Sequence, residues 1–499
     1  MGKHPPQEWL HNKIAEYWDM GKTDIAMCKL IQADIASEEE FAGKGYTMSG
    51  ISRTRKNLQL LGPRQAKAAG LHDQIPVILE GIRSGAFPVM GARDMVSFLR
   101  QEHNIKISEK NLLLLFHELE PERVVRRKGA RFKRSRCYSA GVLEILSFDQ
   151  HDKWKRFGLW LHLGVDPYTG YLHWNKIWWT NRNTALVTSY YLDAVRKVKA
   201  IPLFTFSDTG RENNGIAKCH STMRQRLDPS LRGTIQHRWF YEKMNIQSEI
   251  CWGRFRRGFA VGFENLLDQG ELYEIVTFEK LDAVESLLFR WLFIPYLQKE
   301  LDKWTARQNN TMRRAHKHRV LPHGIPTEIH NNPERWDGLN FGVKVPETLL
   351  DEMQELWSPS DNPVFDLTPD SFATCARRFY EELGSPVIEY HSIWGIFIQM
   401  RARFERDVDE EELQLISSAF RSQEEVFAQD VELIELEDDD APEVHQEFFD
   451  ERVFPDEEYP SDDEDGREYD VEDIEFEAQL TEDEEDEEEV DTILRTEDD

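Results

Sequence analysis

Nearly half of the acidic residues in this chain fall in its last fifth, and that segregation decides which part of it can fold. Between residues 409 and 499 stand 42 Asp or Glu against four Arg, namely Arg421, Arg452, Arg467 and Arg495. A stretch this charged cannot bury enough apolar surface to offset the entropy lost on ordering. The segment 408–499 is therefore read as an acidic, largely disordered tail, with disorder expected beyond about Asp430. The remaining 408 residues hold 57 Lys or Arg against 50 Asp or Glu, so the net charge of −31 hides a basic body. At roughly 150 residues per domain, the body has room for two or three folded units. A basic body with an acidic tail suits nucleic-acid contact and self-masking.

Five scattered cysteines (Cys28, Cys137, Cys219, Cys251, Cys375) form no Cys-x-x-Cys pair, so they fit a reducing compartment better than a disulfide framework or a zinc ribbon. No apolar run approaches the ~18 residues that would span a bilayer. The start, MGKHPPQEW, has neither the apolar stretch of a signal peptide nor the Ser or Thr of a myristoylation motif. The expectation is a protein with no membrane partner.

Residues 7 to about 120 have the spacing of short helices. Within 88–121 an amphipathic helix is expected at about 92–101, then a turn through Asn104, then a second helix capped by Ser108 with Glu109 in its first turn. This is helix-turn-helix spacing. An earlier segment, TMSGISRTRKNLQLLG, reads as the second helix of another such unit, with Arg53, Arg55 and Lys56 near its start, where a recognition helix would meet DNA. Plain helical hairpins packed on the body are the competing reading. Residues 123–136, RVVRRKGARFKRSR, carry eight basic groups in fourteen positions, including Arg126, Arg127, Lys128, Arg131, Lys133 and Arg134. That density suits phosphate neutralisation, or a nuclear-localisation signal.

From Val142 the pattern turns to β. Runs at 142–148, 159–165 and 171–178, joined by short charged or Gly/Pro turns, predict an antiparallel meander, followed by a helix at 183–199 and a strand at 203–207. Helices are expected at 245–257 and about 279–306, extended loops over 311–346, and helices again over 368–406. The domains so drawn are 1–70 and 71–122 (helical), 123–140 (basic linker), 141–310 (core), 311–407 (helical extension) and 408–499 (tail).

Asp149 follows the apolar run VLEILSF and Asp208 follows LFTFS, so each carboxylate is expected at a strand end, while Glu249 lies on the helix of NIQSEICWGRFRRG. If the two strands are neighbours, three oxygen donors converge. Phosphodiester transfer needs such a site, because two metal ions about 3.5–4 Å apart can activate the attacking oxygen and stabilise the leaving one. Carboxylates suit Mg²⁺ or Mn²⁺. Arg254, Arg256 and Arg257, just past Glu249, are candidates for substrate phosphates. Asp166 in DPYTG reads as an ordinary turn residue. His316, His318, His323 and His330 lack cysteine partners and read as solvated loop residues before zinc ligands. Trp178, Trp179 and Trp252 read as core.

The run LSFDQHDKWKRFGLWLHLGVDPYTGYLHW, then FTFSDTGRENNGIA, then NIQSEICWGRFRRG resembles the integrase core domain found in many fungal and animal genomes, related to retroviral integrases. Asp149, Asp208 with Glu212 and Asn213, and Glu249 with Asn245 and Trp252 occupy the places of that family's three acids and their neighbours. Residues 88–127 look like the helix-turn-helix that precedes this core, and LDKWTARQNNTMR resembles the segment that follows it. The resemblance spans roughly 48–394. It implies a ribonuclease H-like α/β core with a mixed sheet, preceded by all-α helix-turn-helix units, and a catalytic triad Asp149, Asp208 and Glu249. This sequence departs at Phe148, where the family has His, and at Gln150-His151, where it has Gly-Asn. The retroviral His-His-Cys-Cys module has no counterpart.

These features lead to an expectation of a nuclear, transposon-derived DNA strand-transfer enzyme of the integrase or transposase type, which joining paired ends would require to multimerise. The alternative is a domesticated, catalytically silent DNA- or chromatin-binding scaffold that keeps the fold. A third reading makes the acidic tail a binder of histones or other basic proteins.

Overall fold

The computed structural model describes residues 4–429 except 42, 122, 124–138, 241–245 and 313–320. It divides into two compact units: residues up to Gly81 with the segment from Val89 to the basic stretch, and Ile82–Pro88 with the chain from the core onward. Each is described by itself. No helix among the described residues is long and apolar enough to cross a membrane. The described cysteines, Cys28, Cys219, Cys251 and Cys375, are free thiols.

The described secondary structure of the first unit is all helical, and the two amino-terminal segments drawn from sequence fall in it apart from Ile82–Pro88. Helix α1 (Gln7–Asp19) packs on α2 (Asp24–Ser37) and α3 (Met48–Asn57). Thr23 and Thr47 cap the latter two by accepting from Ala26 N–H and Gly50 N–H. Helices α4 (Ala92–His103) and α5 (Glu109–Leu119) are the predicted pair. Asn104 ends the first in the left-handed conformation (φ 55°), and the Ser108 hydroxyl caps the second by accepting from Asn111 N–H. Arg100 of α4 reaches back to the Asp19 carbonyl at 2.9 Å, which ties this pair to α1.

The second unit is built on a five-stranded mixed sheet. Its strands are β1 (Ile145–His151), β2 (Trp160–Val165), β3 (Leu172–Trp178), β4 (Phe204–Asp208) and β5 (His237–Phe240). The spatial order is β3-β2-β1-β4-β5. The first three strands form the expected antiparallel meander, and β4 and β5 add in parallel to β1. β1 runs three residues past Phe148, so Asp149 lies within the strand and not after it. β5 was not anticipated; it is short, and its alternation is weak.

Side-chain alternation along β1 sets the two faces of the sheet. Phe148 is fully buried against His162, Trp174 and His237, with ring centroids 5.7–6.2 Å apart. Burying such a ring contributes roughly 1.5–3 kcal/mol. The same face is covered by helix α6 (Thr184–Val198), whose Tyr190 meets His162 and whose Tyr191 hydroxyl pairs with His220 of α7 (Asn214–Leu227) at 2.7 Å. Asn183 starts α6 by accepting from Ala185 and Leu186 N–H. The opposite face of β1, with Ser147, Asp149 and His151, carries helix α8 (Ile246–Phe255). After α8 come a π-helical turn, Arg256–Ala260, and α9 (Val261–Leu272).

The free edge of β3 would expose unpaired backbone groups. Helix α10 (Ala283–Asn310) lies along it and supplies amide side chains in place of another strand. Gln298 accepts from Ile177 N–H at 2.8 Å and donates to the Asn175 carbonyl at 3.0 Å. Asn309 accepts from Leu172 N–H at 2.8 Å and donates to its carbonyl at 2.9 Å. Asp282 and Glu285 form a capping box at the start of α10. The segment expected to be extended loops contains a short helix, α11 (Pro326–Asn331), which packs against α10. Helix also continues over Glu410–Gln429, into the region assigned to the acidic tail, where Gln423 donates to the Asp366 carbonyl at 2.8 Å and Glu424 pairs with Arg290.

Candidate functional site

Strand β1 meets β4 with Ile145 opposite Phe204, Leu146 opposite Thr205 and Ser147 opposite Phe206. Carrying that register two residues further sets Asp149 beside Asp208. The shared parity puts both carboxylates on the α8 face. Helix α8 is held there by the Trp252 indole N–H, which donates to Asp149 Oδ2 at 3.0 Å, and by the Ser147 and Ser248 hydroxyls 3.4 Å apart. Glu249 follows Ser248, exposed in the first turn of the helix. The three acids singled out from sequence thus come from two neighbouring strands and one helix.

Their charges act on one another. Burial lifts the Asp149 carboxyl from its ordinary 3.8 to about 7; Asp208 adds to the rise, the Gln150 N–H and the Trp252 indole oppose it, and Glu249 contributes a smaller increase. Asp208 is exposed at the end of β4. The three carboxylates share a field, but among the described residues the ligand-type side chains drawn within 4.8 Å of one another lie elsewhere. That group is Asp166, His173 and His330, a buried cluster that could hold a metal ion. Nothing in the sequence reading grouped those three residues.

The surroundings of Asp149 are built from residues flagged in the sequence. His151 stacks on Trp252 (4.7 Å, 19°), and burial holds this imidazole down at about 4, so it is neutral. Gln150 turns the other way, donating to Glu212 and accepting from Asn181, which also donates to Asp152 at 3.2 Å. Burial raises the Glu212 carboxyl, and the charges of Asp152 and Asp208 act in the same direction. Gly210 permits this turn to close: a Cβ there would stand 1.8 Å from Glu212 Oε1. Phe148 points to the opposite face, so that departure from the resembled family alters the core and leaves the carboxylate face untouched.

The predicted cationic residues divide. Arg53 and Lys56 of α3 are exposed. Arg55 is not available to DNA: it is 4% exposed, its guanidinium grips Asp24 at 2.8 and 3.1 Å, and it also donates to the Leu60 carbonyl and to Gln65. Ile51, one turn earlier, is fully buried, so Arg55 shares the inward face of its helix. Arg126, Arg127, Lys128, Arg131, Lys133 and Arg134 lie outside the described residues, as do Asn245, His316 and His318. Arg254 turns back onto Cys251 Sγ at 3.2 Å and the Ile250 carbonyl. Arg256 and Arg257 are exposed on the π-helical turn, and the charge of Arg256 is felt at His151 beside the acids. Trp178 is half-buried and donates to the Val364 carbonyl, and Trp179 is buried under Arg290 as a core residue.

Comparison of the chain with protein-family profiles and with curated proteins finds no match in either.

Proposed function

We propose that this protein is a polynucleotidyl transferase of the integrase or transposase type, built on a ribonuclease H-like core, with Asp149, Asp208 and Glu249 as its metal-binding acids. The observation that carries the reading is the β1–β4 register, which sets Asp149 beside Asp208 under the helix that bears Glu249. Supporting the fold is the strand order β3-β2-β1-β4-β5, an antiparallel meander extended by two parallel strands and covered by helices on both faces.

The donor set fits divalent Mg²⁺ or Mn²⁺. All three groups are hard oxygen donors, and the Asp149 carboxyl, raised first by burial and then by Asp208, marks a place where a cation would favour the ionised form. When bound, two such ions would supply Lewis-acid stabilisation of the attacking and leaving oxygens. The chain's own contribution is placement. The Trp252 N–H fixes one Asp149 oxygen, the sheet fixes Asp149 against Asp208, and Arg256 with Arg257 offers positive charge to a phosphate backbone. DNA is the expected substrate, with Arg53, Lys56 and the basic segment contributing sequence-independent affinity. A nuclear setting, multimerisation and a tail that engages histones or other basic proteins belong to this proposal.

A catalytically silent DNA- or chromatin-binding scaffold is favoured by one specific feature: an Asp149 oxygen is already taken by Trp252. A strand-transfer assay with Mn²⁺ on the wild type and Asp208→Asn separates the two. Activity confined to the wild type supports the enzyme. Equal activity in both rejects the triad, and DNA binding without activity in either selects the scaffold.

A further inference from the structure

We infer that Asp166, His173 and His330 form a second metal site, for a borderline transition-metal dication such as Zn²⁺, which fastens α11 to the sheet. It goes beyond the proposed nucleotidyl-transfer reading and does not depend on it. The site lies at the other end of the sheet from Asp149. Ser147 pairs with Val165, so the turn after β2 returns beside the start of β1, whereas Asp149 stands near its finish.

Three elements bring the ligands together. Asp166 begins the turn between β2 and β3 and is fully buried. His173 is on β3, immediately after the residue that Asn309 clamps. His330 is on α11, 8% exposed, and its ring stacks on Tyr171 (4.5 Å, 10°) and meets His173 edge-on at 5.0 Å. One ligand atom from each lies within 4.8 Å of the others, and His330 Nδ1 is 3.9 Å from Asp166 Oδ2. Zinc–ligand bonds of about 2.0–2.2 Å in a tetrahedron put neighbouring donors roughly 3.3–3.6 Å apart, so small side-chain movements would bring these three donors onto one ion, with the fourth position left to water.

One feature points to a ligand and not merely to packing. Buried nitrogens normally have a hydrogen-bond partner, yet His173 Nε2 and His330 Nδ1 are both buried with none. Lys197 is close enough for its charge to act on both rings. Lys197 would oppose a bound cation, and Asp166 offsets it. Asp166 has the outer hydrogen bonds that orient a ligating carboxylate: Leu143 N–H donates to Oδ2 at 2.9 Å and Thr169 N–H to Oδ1 at 3.0 Å. Leu143 sits in the left-handed region (φ 57°), and this bond helps hold it there. Two imidazoles with one carboxylate suit Zn²⁺ better than Mg²⁺ or Ca²⁺. Val142, Leu143, Tyr168, Leu321 and Ile329 form one buried apolar cluster, which includes the residue bonded to Asp166 and the neighbour of His330 in the chain.

The test is metal content of the full chain, purified without metal-affinity resin and desalted, measured by mass spectrometry for the wild type, His330→Gln and Asp208→Asn. About one tightly held zinc per chain in the wild type and Asp208→Asn, lost from a folded His330→Gln, is the expected result. Zinc retained by His330→Gln, or no zinc in the wild type even after incubation with Zn²⁺, overturns the inference. If His330→Gln does not fold, Co²⁺ added to the wild type and to Asp208→Asn decides. Strong visible bands of four- or five-coordinate Co²⁺ in both support the site, and only the weak absorption of a six-coordinate ion refutes it. Loss of zinc from Asp208→Asn alone would place the metal at the triad and equally reject the inference, so the two sites are tested separately.

Discussion

Replacing Asp208 by Asn should stabilise the metal-free protein at alkaline pH while removing its response to Mn²⁺. The Asp149 carboxyl is raised from 3.8 to about 7 by burial and then by Asp208. A raised acid binds its proton more tightly in the folded chain, so stability is fully present below about pH 4, falls as pH rises towards 7, and levels off above. The whole shift corresponds to about 4 kcal/mol as an upper bound. Burial, the largest part, is unchanged by the substitution. The Asp208 share follows from two carboxylates on adjacent strands about 5 Å apart. With Asp208 exposed, an effective dielectric of about 60 gives roughly 1 kcal/mol of repulsion. In chelator at pH 8, Asp208→Asn should therefore raise the melting temperature of the sheet-bearing unit by about 2–4 °C. At pH 5, where Asp149 is protonated in both proteins, the gain should nearly vanish. Saturating Mn²⁺ at a hundredfold excess over its dissociation constant should then add about 2.7 kcal/mol to the wild type and far less to the variant. Thermal melts at the two pH values, with and without Mn²⁺, read all three effects. A variant that gains equally at both pH values, or loses stability at pH 8, refutes the placement of Asp208 beside Asp149.

Trp252→Phe keeps an aromatic ring on His151 but removes the donor that lowers the Asp149 carboxyl, so the pH midpoint of Mn²⁺-dependent stabilisation should move up by about one unit; no shift, or a fall, counts against the contact. Gly164→Ala places a Cβ 2.3–2.5 Å from the Trp174 ring and should cost about 1–3 kcal/mol, seen as a lower urea midpoint; an unchanged midpoint would show that Trp174 does not pack there. Arg55→Met leaves Asp24 without its bidentate partner and should destabilise the helical unit by about 2–4 kcal/mol. Arg53→Ala and Lys56→Ala should stay within about 0.5 kcal/mol in stability, and each should lower the salt slope of DNA binding by about one; the opposite pattern would reverse the roles given to these three cations.

What was legible in the sequence was local. Ser108 announces a helix start because a short polar side chain can accept from the N–H groups that a first turn leaves unpaired, and it does so; Thr47 and Asn183, which open two other expected helices, cap them in the same way. The β1–β3 meander was legible because its turns are short. Asp149 and Asp208 were found through their strands, and the register that aligns them is a long-range result that no spacing rule supplies. Arg55 was misjudged because it was read by charge alone; the helix runs Met48–Asn57, so Arg55 and Lys56 stand in its last turn and not near its start as expected. Its position one turn after the apolar Ile51 was the available signal that it faces inward. The strand His237–Phe240 and the polar helix Asn214–Leu227 offered weak apolar periodicity and were passed over. Asp166 was read as a turn residue, and it does cap its turn through Thr169. That reading hid its second neighbourhood, because His330 arrives from a helix within a segment rich in Pro, Asn and His.

The two acidic centres differ in a way that bears on how each could act. Asp149 is half-buried, and Asp208 and Glu249 are exposed, so the triad is open on one side, as the proposed phosphodiester substrate would require. Its carboxylates are spread and mutually repelling, which makes occupancy depend on pH near 7 and on cation concentration. Asp166, His173 and His330 have the opposite character. A fully buried carboxylate lies with one buried and one half-buried imidazole, and its lone pairs are oriented by backbone N–H groups. A closed arrangement of this kind excludes a polymeric substrate and favours a permanently held ion. The two also serve different ends of one strand system: Asp149 stands near the finish of β1, while Asp166 braces Leu143 just before its start. A metal at the second site would stiffen the start of β1, whose register against β4 sets the spacing of Asp149 and Asp208. Loss of His330 should therefore lower the cooperativity of the Mn²⁺ response at the triad as well as overall stability, whereas loss of Asp208 should leave zinc content unchanged.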